Sequence, residues 1–101
     1  PHYPLAYMNR GQAYANKDEK EKALSDLNES LKQDPSSAET LFRRGAVHLD
    51  MGNIDLAEAD LNESIRRNST ISVAFYIRGA MHERRGKIEE ARQDYTKAYD
   101  L

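Results

Sequence analysis

The sequence predicts an all-α fold of three stacked helix-turn-helix units, and three observations carry that prediction. Arg10-Gly11, Arg44-Gly45 and Arg78-Gly79 recur 34 residues apart, as do Ala23, Ala57 and Ala91, and Asp26, Asp60 and Asp94. The pentapeptide Asp26-Leu27-Asn28-Glu29-Ser30 returns unchanged as Asp60-Leu61-Asn62-Glu63-Ser64. Within each unit the small and apolar positions fall three and four apart, which aligns side chains along one face of a helix. A fixed period of this length, holding one supersecondary element per repeat, is the mark of a solenoid.

The elements follow in order. Tyr7, Gly11 and Tyr14 outline the first helix of unit one; Leu41, Gly45, His48 and Phe75, Gly79, His82 repeat it in units two and three. Ala23, Leu27 and Ser30 form the facing stripe on the second helix, matched by Ala57, Leu61, Ser64 and by Ala91, Tyr95, Ala98. Small residues at these places let two helices approach closely while larger neighbours interlock. Gly52-Asn53 and Gly86-Lys87 separate the helices of a pair, because glycine accepts the left-handed conformation that ends a helix. Asp18 takes that place in unit one. Asp18 with Glu21, and Ser36 with Glu39, have the spacing of capping boxes, and Pro35 divides unit one from unit two. The expected boundaries are 4–37, 38–71 and 72–101 within a single domain spanning 1–101, the last repeat being truncated with no capping helix.

These residues resemble the tetratricopeptide repeat, a 34-residue unit with an aromatic or Leu, then Gly, Tyr, Ala, an aromatic or Leu, Ala and Pro at fixed offsets. Unit one matches through Tyr7, Gly11, Tyr14, Ala23, Leu27, Ser30 and Pro35. Unit two has Ser69 where Pro is usual, and Arg precedes each Gly where Leu is commonest. The resemblance implies a right-handed α-solenoid with first helices on a concave surface and second helices outside. It also implies a protein–protein interaction scaffold that holds a peptide or helical segment of a partner in that groove.

Composition narrows the alternatives. With 15 basic and 17 acidic residues the net charge is -2, so there is no basic footprint for a nucleic-acid partner. No apolar run reaches the roughly 18 residues of a membrane span, and no membrane insertion is expected. The chain has no cysteine, which removes disulfides, thiolate-ligated zinc and a thiol nucleophile; that fits a reducing compartment without proving one, so the location stays open with the cytoplasm favoured. It opens on Pro1 rather than Met, as a piece of a longer protein would.

Catalytic patterns are weak, and no enzyme, cofactor or metal is expected. His48 and His82 stand where Tyr14 stands in unit one and read as helix packing rather than ligands. Glu89-Glu90 and Asp18-Glu19 are adjacent carboxylates pointing different ways, with no partner base. Ser30 and Ser64 occupy small-residue packing positions. The glycosylation triplets at Asn28 and Asn62 follow from the same serines, and a third lies at Asn68. The Arg10–Asp26, Arg44–Asp60 and Arg78–Asp94 sets read as repeated ion pairs between helices; the alternative is a row of arginines open to an anionic ligand.

Carrying the family's concave positions onto this chain selects Leu5, Met8, Asn9 and Gln12; Phe42, Arg43, Ala46, Leu49 and Asp50; and Val73, Tyr76, Ile77, Ala80, Glu83 and Arg84. Met8, Phe42 and Tyr76 share one place in the repeat and are expected to form an apolar contact stripe beside Arg43. Tetratricopeptide co-chaperones grip the C-terminal carboxylate of heat-shock chaperones with a Lys–Asn–Asn–Lys–Arg set. The matching places here are Met8, Gln12, Arg43, Val73 and Ile77, so this chain is not expected to bind as a carboxylate clamp. Two further readings stay open. One is a structural unit of a longer or self-associating solenoid, a homo-oligomer joined end to end through the uncapped C-terminal helix at Ile88, Tyr95, Tyr99 and Leu101. The other is a targeting or regulatory appendage of an enzyme.

Overall fold

Helices form where the 34-residue pattern places them. The computed structural model describes residues 2–101 and contains α1 (Pro4–Asn16), α2 (Lys20–Gln33), α3 (Ala38–Asp50), α4 (Ile54–Arg67), α5 (Ser72–Arg84) and α6 (Ile88–Asp100). Pro4 sits in the first turn of α1, where its fixed φ suits the helix and its missing N–H costs nothing.

All three intra-repeat turns close in the same way. The N–H groups of Glu19, Asn53 and Lys87 donate to the carbonyls of Tyr14, His48 and His82 at 2.9, 2.8 and 2.9 Å. The residue before each donor is left-handed: Asp18 at φ 62°, Gly52 at 81° and Gly86 at 75°. Asp is one of the few side chains that tolerates this region, so it substitutes for glycine in repeat one. That duty corrects one expectation. Asp18 belongs to the turn, Glu19 precedes the helix with no side-chain cap, and the Asp18–Glu21 capping box does not form. The cap of α3 also shifts by one residue. Ser37, not Ser36, accepts from the N–H of Thr40 at 3.2 Å, while Ser36 donates to Asp34.

Within each pair, the glycine of the first helix lies against the second. A methyl group on Gly11 would come within 2.9 Å of Leu27 Cγ, and one on Gly45 within 3.0 Å of Leu61 Cγ. The buried serines fasten the far ends. Ser30 Oγ donates to the carbonyl of Pro4 at 2.8 Å and Ser64 Oγ to that of Ala38 at 2.7 Å. Ala98 takes this place in the third repeat.

Repeats stack through two apolar junctions. Met8, Ala23, Leu27 and Val47 fill the first; Phe42, Leu49, Ala57, Leu61, Ala74 and Met81 fill the second. The stack measures 43 × 25 × 20 Å. First helices touch, α1 on α3 and α3 on α5, whereas α2, α4 and α6 do not meet one another. The array therefore curves, with first helices on the inner side and second helices splayed on the outer one.

Candidate functional site

Charged side chains tie the repeats before any binding surface is considered. Arg10 donates to Asp26 through Nε at 2.7 Å and Nη2 at 2.8 Å. Arg44 does the same to Asp60, both at 2.8 Å, and Arg78 to Asp94 at 2.7 and 2.8 Å. The aspartates are buried, and a planar fork against a carboxylate satisfies both oxygens. These are the repeated ion pairs expected from the sequence. They run within a repeat, and the arginines are not a free row for an anion. In repeat one the hydrogen bond to Asp26 raises the already high basicity of Arg10.

The same arginines also reach backward. Arg44 Nη1 donates to Asn28 Oδ1 and Arg78 Nη1 to Asn62 Oδ1, both at 3.1 Å, linking each repeat to its predecessor. Sequence reasoning missed this role. The signal was present in the unchanged pentapeptide, which holds an Asn at an exposed position where packing alone imposes no choice.

The inner face is more polar than the sequence implied, because several of its expected apolar contacts are buried. Met8, Phe42 and Leu49 are core residues, packed against the next repeat, and not an exposed stripe. Of the Met8, Phe42 and Tyr76 set, Tyr76 alone is open, 60% exposed. Leu5 and Val73 are exposed, Ala46, Ile77 and Ala80 are half-buried, and Asn9, Asp50, Glu83 and Arg84 face solvent. Arg43 is held by its own surroundings. It donates to Gln12 Oε1 at 2.8 Å and to Glu39 at 2.7 Å, and its Nε is buried without a hydrogen-bond partner. Gln12 also donates to Asn16 at 2.9 Å, and Arg84 donates to the Leu49 carbonyl at 2.6 Å.

A second surface lies at the C-terminal end. Ile88, Tyr95 and Tyr99 line a depression of about 460 Å³ with Glu83 and Ala91; Val73, Tyr76, Tyr95 and Tyr99 line one of about 640 Å³. Tyr76 and Tyr95 hold their ring centroids 5.4 Å apart. The Tyr95 hydroxyl donates to Glu83 at 2.8 Å; burial, then that bond, push its pKa up to about 12. Leu101 is exposed at the chain's last position but does not line either depression.

His48 and His82 are half-buried between helices, each with a buried Nδ1 that lacks a hydrogen-bond partner. Burial lowers the basicity of His48. Among the described residues no three His, Cys, Asp or Glu side chains gather as a metal site, and no helix is long and apolar enough to cross a membrane.

A curved stack of helix pairs with an open inner face has the architecture of a helical-repeat interaction module. The chain belongs to the tetratricopeptide repeat family, whose models match residues 4–37 and 42–101. Solved structures agree with this. The second such domain of Spaghetti (RPAP3), bound to the HSP90 peptide SRMEEVD, has a TM-score of 0.91 at 24% identity, over 97% of this chain and 91% of that one. The Arabidopsis OM64 TPR domain gives 0.92 at 22%, over 97% and 81%. MamA gives 0.87 at 25%, over 98% of this chain and 58% of that one. No curated protein sequence matches at a significant level.

Proposed function

We propose that the inner face formed by α1, α3 and α5 binds an extended or helical peptide segment of a partner protein, anchored by apolar contacts rather than by a clamped carboxylate. The observation that carries this is the state of Arg43. Its guanidinium is taken up by Gln12 and Glu39, so the central cation of the groove is already neutralised. The remaining groove charges, Arg84 against Asp50 and Glu83, give no positive field for an acidic tail. What the face offers is Leu5 on α1, small Ala46 on α3, and Val73, Ile77 and small Ala80 on α5, a run that suits alternate apolar side chains.

Capture from lysate with three forms of the protein tests this reading. Ala46→Arg places a bulky cation in mid-groove, and Tyr99→Glu alters only the distal end. A partner retained by the native chain and by Tyr99→Glu, but lost with Ala46→Arg, supports groove binding. Loss with Tyr99→Glu alone removes the groove from the explanation. The SRMEEVD peptide, titrated by calorimetry, is expected to show no micromolar binding; such binding would overturn the apolar-anchor proposal.

A further inference from the structure

The C-terminal face has the composition of half a repeat junction. Inside the chain, Leu27 of α2 shares one apolar cluster with Val47 of α3, and Leu61 of α4 shares the next with Met81 of α5. One period further on, Tyr95 stands for those leucines, Ile88 for Ile54, Tyr99 for Ile65, and Tyr76 for Phe42. All are left partly or wholly exposed, Tyr99 at 91%. The other half of a junction lies at the N-terminal end, where Tyr3 before α1, and Ala6, Arg10 and Ala13 on it, face solvent, Ala13 standing one period before Val47. We infer that the N-terminal face of a second copy covers this C-terminal face head to tail, so that the contact between molecules repeats the two junctions inside each one.

Three features fit these two ends to each other. The first is shape. Ile65, whose place Tyr99 takes, packs on the cluster that holds Ala74, with Ile71 alongside. Two periods before Ile71, Ala74, Phe75 and Arg78 come Tyr3, Ala6, Tyr7 and Arg10, and these four line a depression of about 260 Å³ on the N-terminal face. A projecting ring and a hollow therefore occupy the two sides of one repeat step. The second is volume. Tyr95 is larger than the leucines it replaces, and Ala13 opposite is smaller than Val47 or Met81, so the change on one side offsets that on the other.

The third is polar pairing. Arg44 and Arg78 each give Nη1 to an Asn of the preceding repeat, whereas Arg10 uses only Nε and Nη2, on Asp26. Thr96 stands where Asn28 and Asn62 stand and brings a hydroxyl acceptor to the vacant donor. Arg85 crosses the second junction to Asp55 and Glu58; one period along, the pair becomes Lys17 and Glu89. Arg92 replaces Glu58, so Lys17 would meet one acidic partner and one like charge, which makes this contact weaker than the junction it repeats. A contact between unlike faces does not close on itself in pairs, so it extends to a third copy and beyond.

Sedimentation velocity tests this inference with two variants at opposite ends, Tyr99→Glu and Ala13→Glu, both at exposed positions. The native 101-residue chain is expected to show a weight-average sedimentation coefficient that rises with concentration. Each variant should lose that rise, with helicity and melting unchanged. Mixed in equal amounts, they should form a dimer that grows no further, because each retains the face the other has lost. A native chain that stays monomeric to its solubility limit overturns the inference. So does a mixture that stays monomeric, or Ala13→Glu assembling alone, which would mean that two C-terminal faces meet. Ala46→Arg should assemble like the native chain, which separates failure here from failure of groove binding.

Discussion

Replacing Asp60 by leucine separates a stranded charge from a missing contact. Asp60 is buried and takes both of its hydrogen bonds from Arg44, whose side chain is 26% exposed. In Asp60→Leu the guanidinium keeps its bond to Asn28 and loses its counter-charge in a largely enclosed site. Breaking a buried pair costs about 3–5 kcal/mol, and partial access to water places this one at the low end, near 3. In a domain of this size that lowers the melting temperature by roughly 12–24 °C. Adding Arg44→Met removes the stranded charge, and the double variant should return to within about 1 kcal/mol of the native protein. Asp26→Leu supplies the internal comparison. Its partner Arg10 is 60% exposed and can be solvated where it stands, so the loss should be about 1 kcal/mol. Thermal melts followed by circular dichroism rank all four proteins. Equal melting of Asp60→Leu and the double variant, or of Asp60→Leu and Asp26→Leu, would refute the stranded-charge reasoning.

Three further outcomes are expected. Gly45→Ala should destabilise by about 1–2 kcal/mol in chemical denaturation. The new methyl meets Leu61 Cγ at 3.0 Å and Asp60 Cβ at 3.3 Å, and the strain exceeds the gain in helix propensity. Ser64→Ala should cost about 1 kcal/mol through the lost bond to the Ala38 carbonyl, with the free energy from urea unfolding as the readout. His48→Tyr, which installs the residue of repeat one, should change the pH profile of melting. Burial holds the folded His48 neutral below the unfolded imidazole's pKa of about 6.5, so its contribution is complete above that pH and declines as acid protonates the unfolded chain first. The native protein should therefore lose stability more steeply than the variant as pH falls from about 6.5 towards the folded value; parallel profiles would remove His48 from the account.

The period made the helices legible because every turn of this fold is local. A left-handed residue and a closing hydrogen bond recur at Asp18, Gly52 and Gly86, and the sequence shows all three. Cap placement was less visible. Ser36 and Ser37 are adjacent, and only the geometry of the chain leaving Pro35 decides which hydroxyl meets the Thr40 N–H. The polar bridges from Arg44 and Arg78 to the preceding repeat were hidden for another reason. They join residues 16 apart, on two helices whose separation no spacing rule states.

The inner face was misread for a physical reason that bears on function. Periodicity gives the phase of a residue around its own helix, whereas burial depends on what stacks on top. Met8 and Phe42 share the phase of Tyr76, yet each is covered by a following first helix, through Val47 in one case and Ala74 and Met81 in the other. Tyr76 has the same phase, is 60% exposed, and carries no such cover from another first helix among the described residues. Its exposure thus marks an incomplete junction more than a groove anchor. The same holds for Tyr95, which sits against Gly79 as Leu61 sits against Gly45, and turns the rest of its ring to the open end. A ligand in the groove and a neighbour at the end therefore draw on different residues. On the two proposals made above, Leu5, Asn9, Ala46 and Ile77 would belong to the first, and Tyr99, Ile88 and Ala13 to the second. Val73 and Tyr76 stand where the two surfaces meet. An occupant of either surface changes what the other sees at that edge, so saturating the groove with its peptide should shift the concentration at which the chain assembles. No shift would mean that the two surfaces act independently.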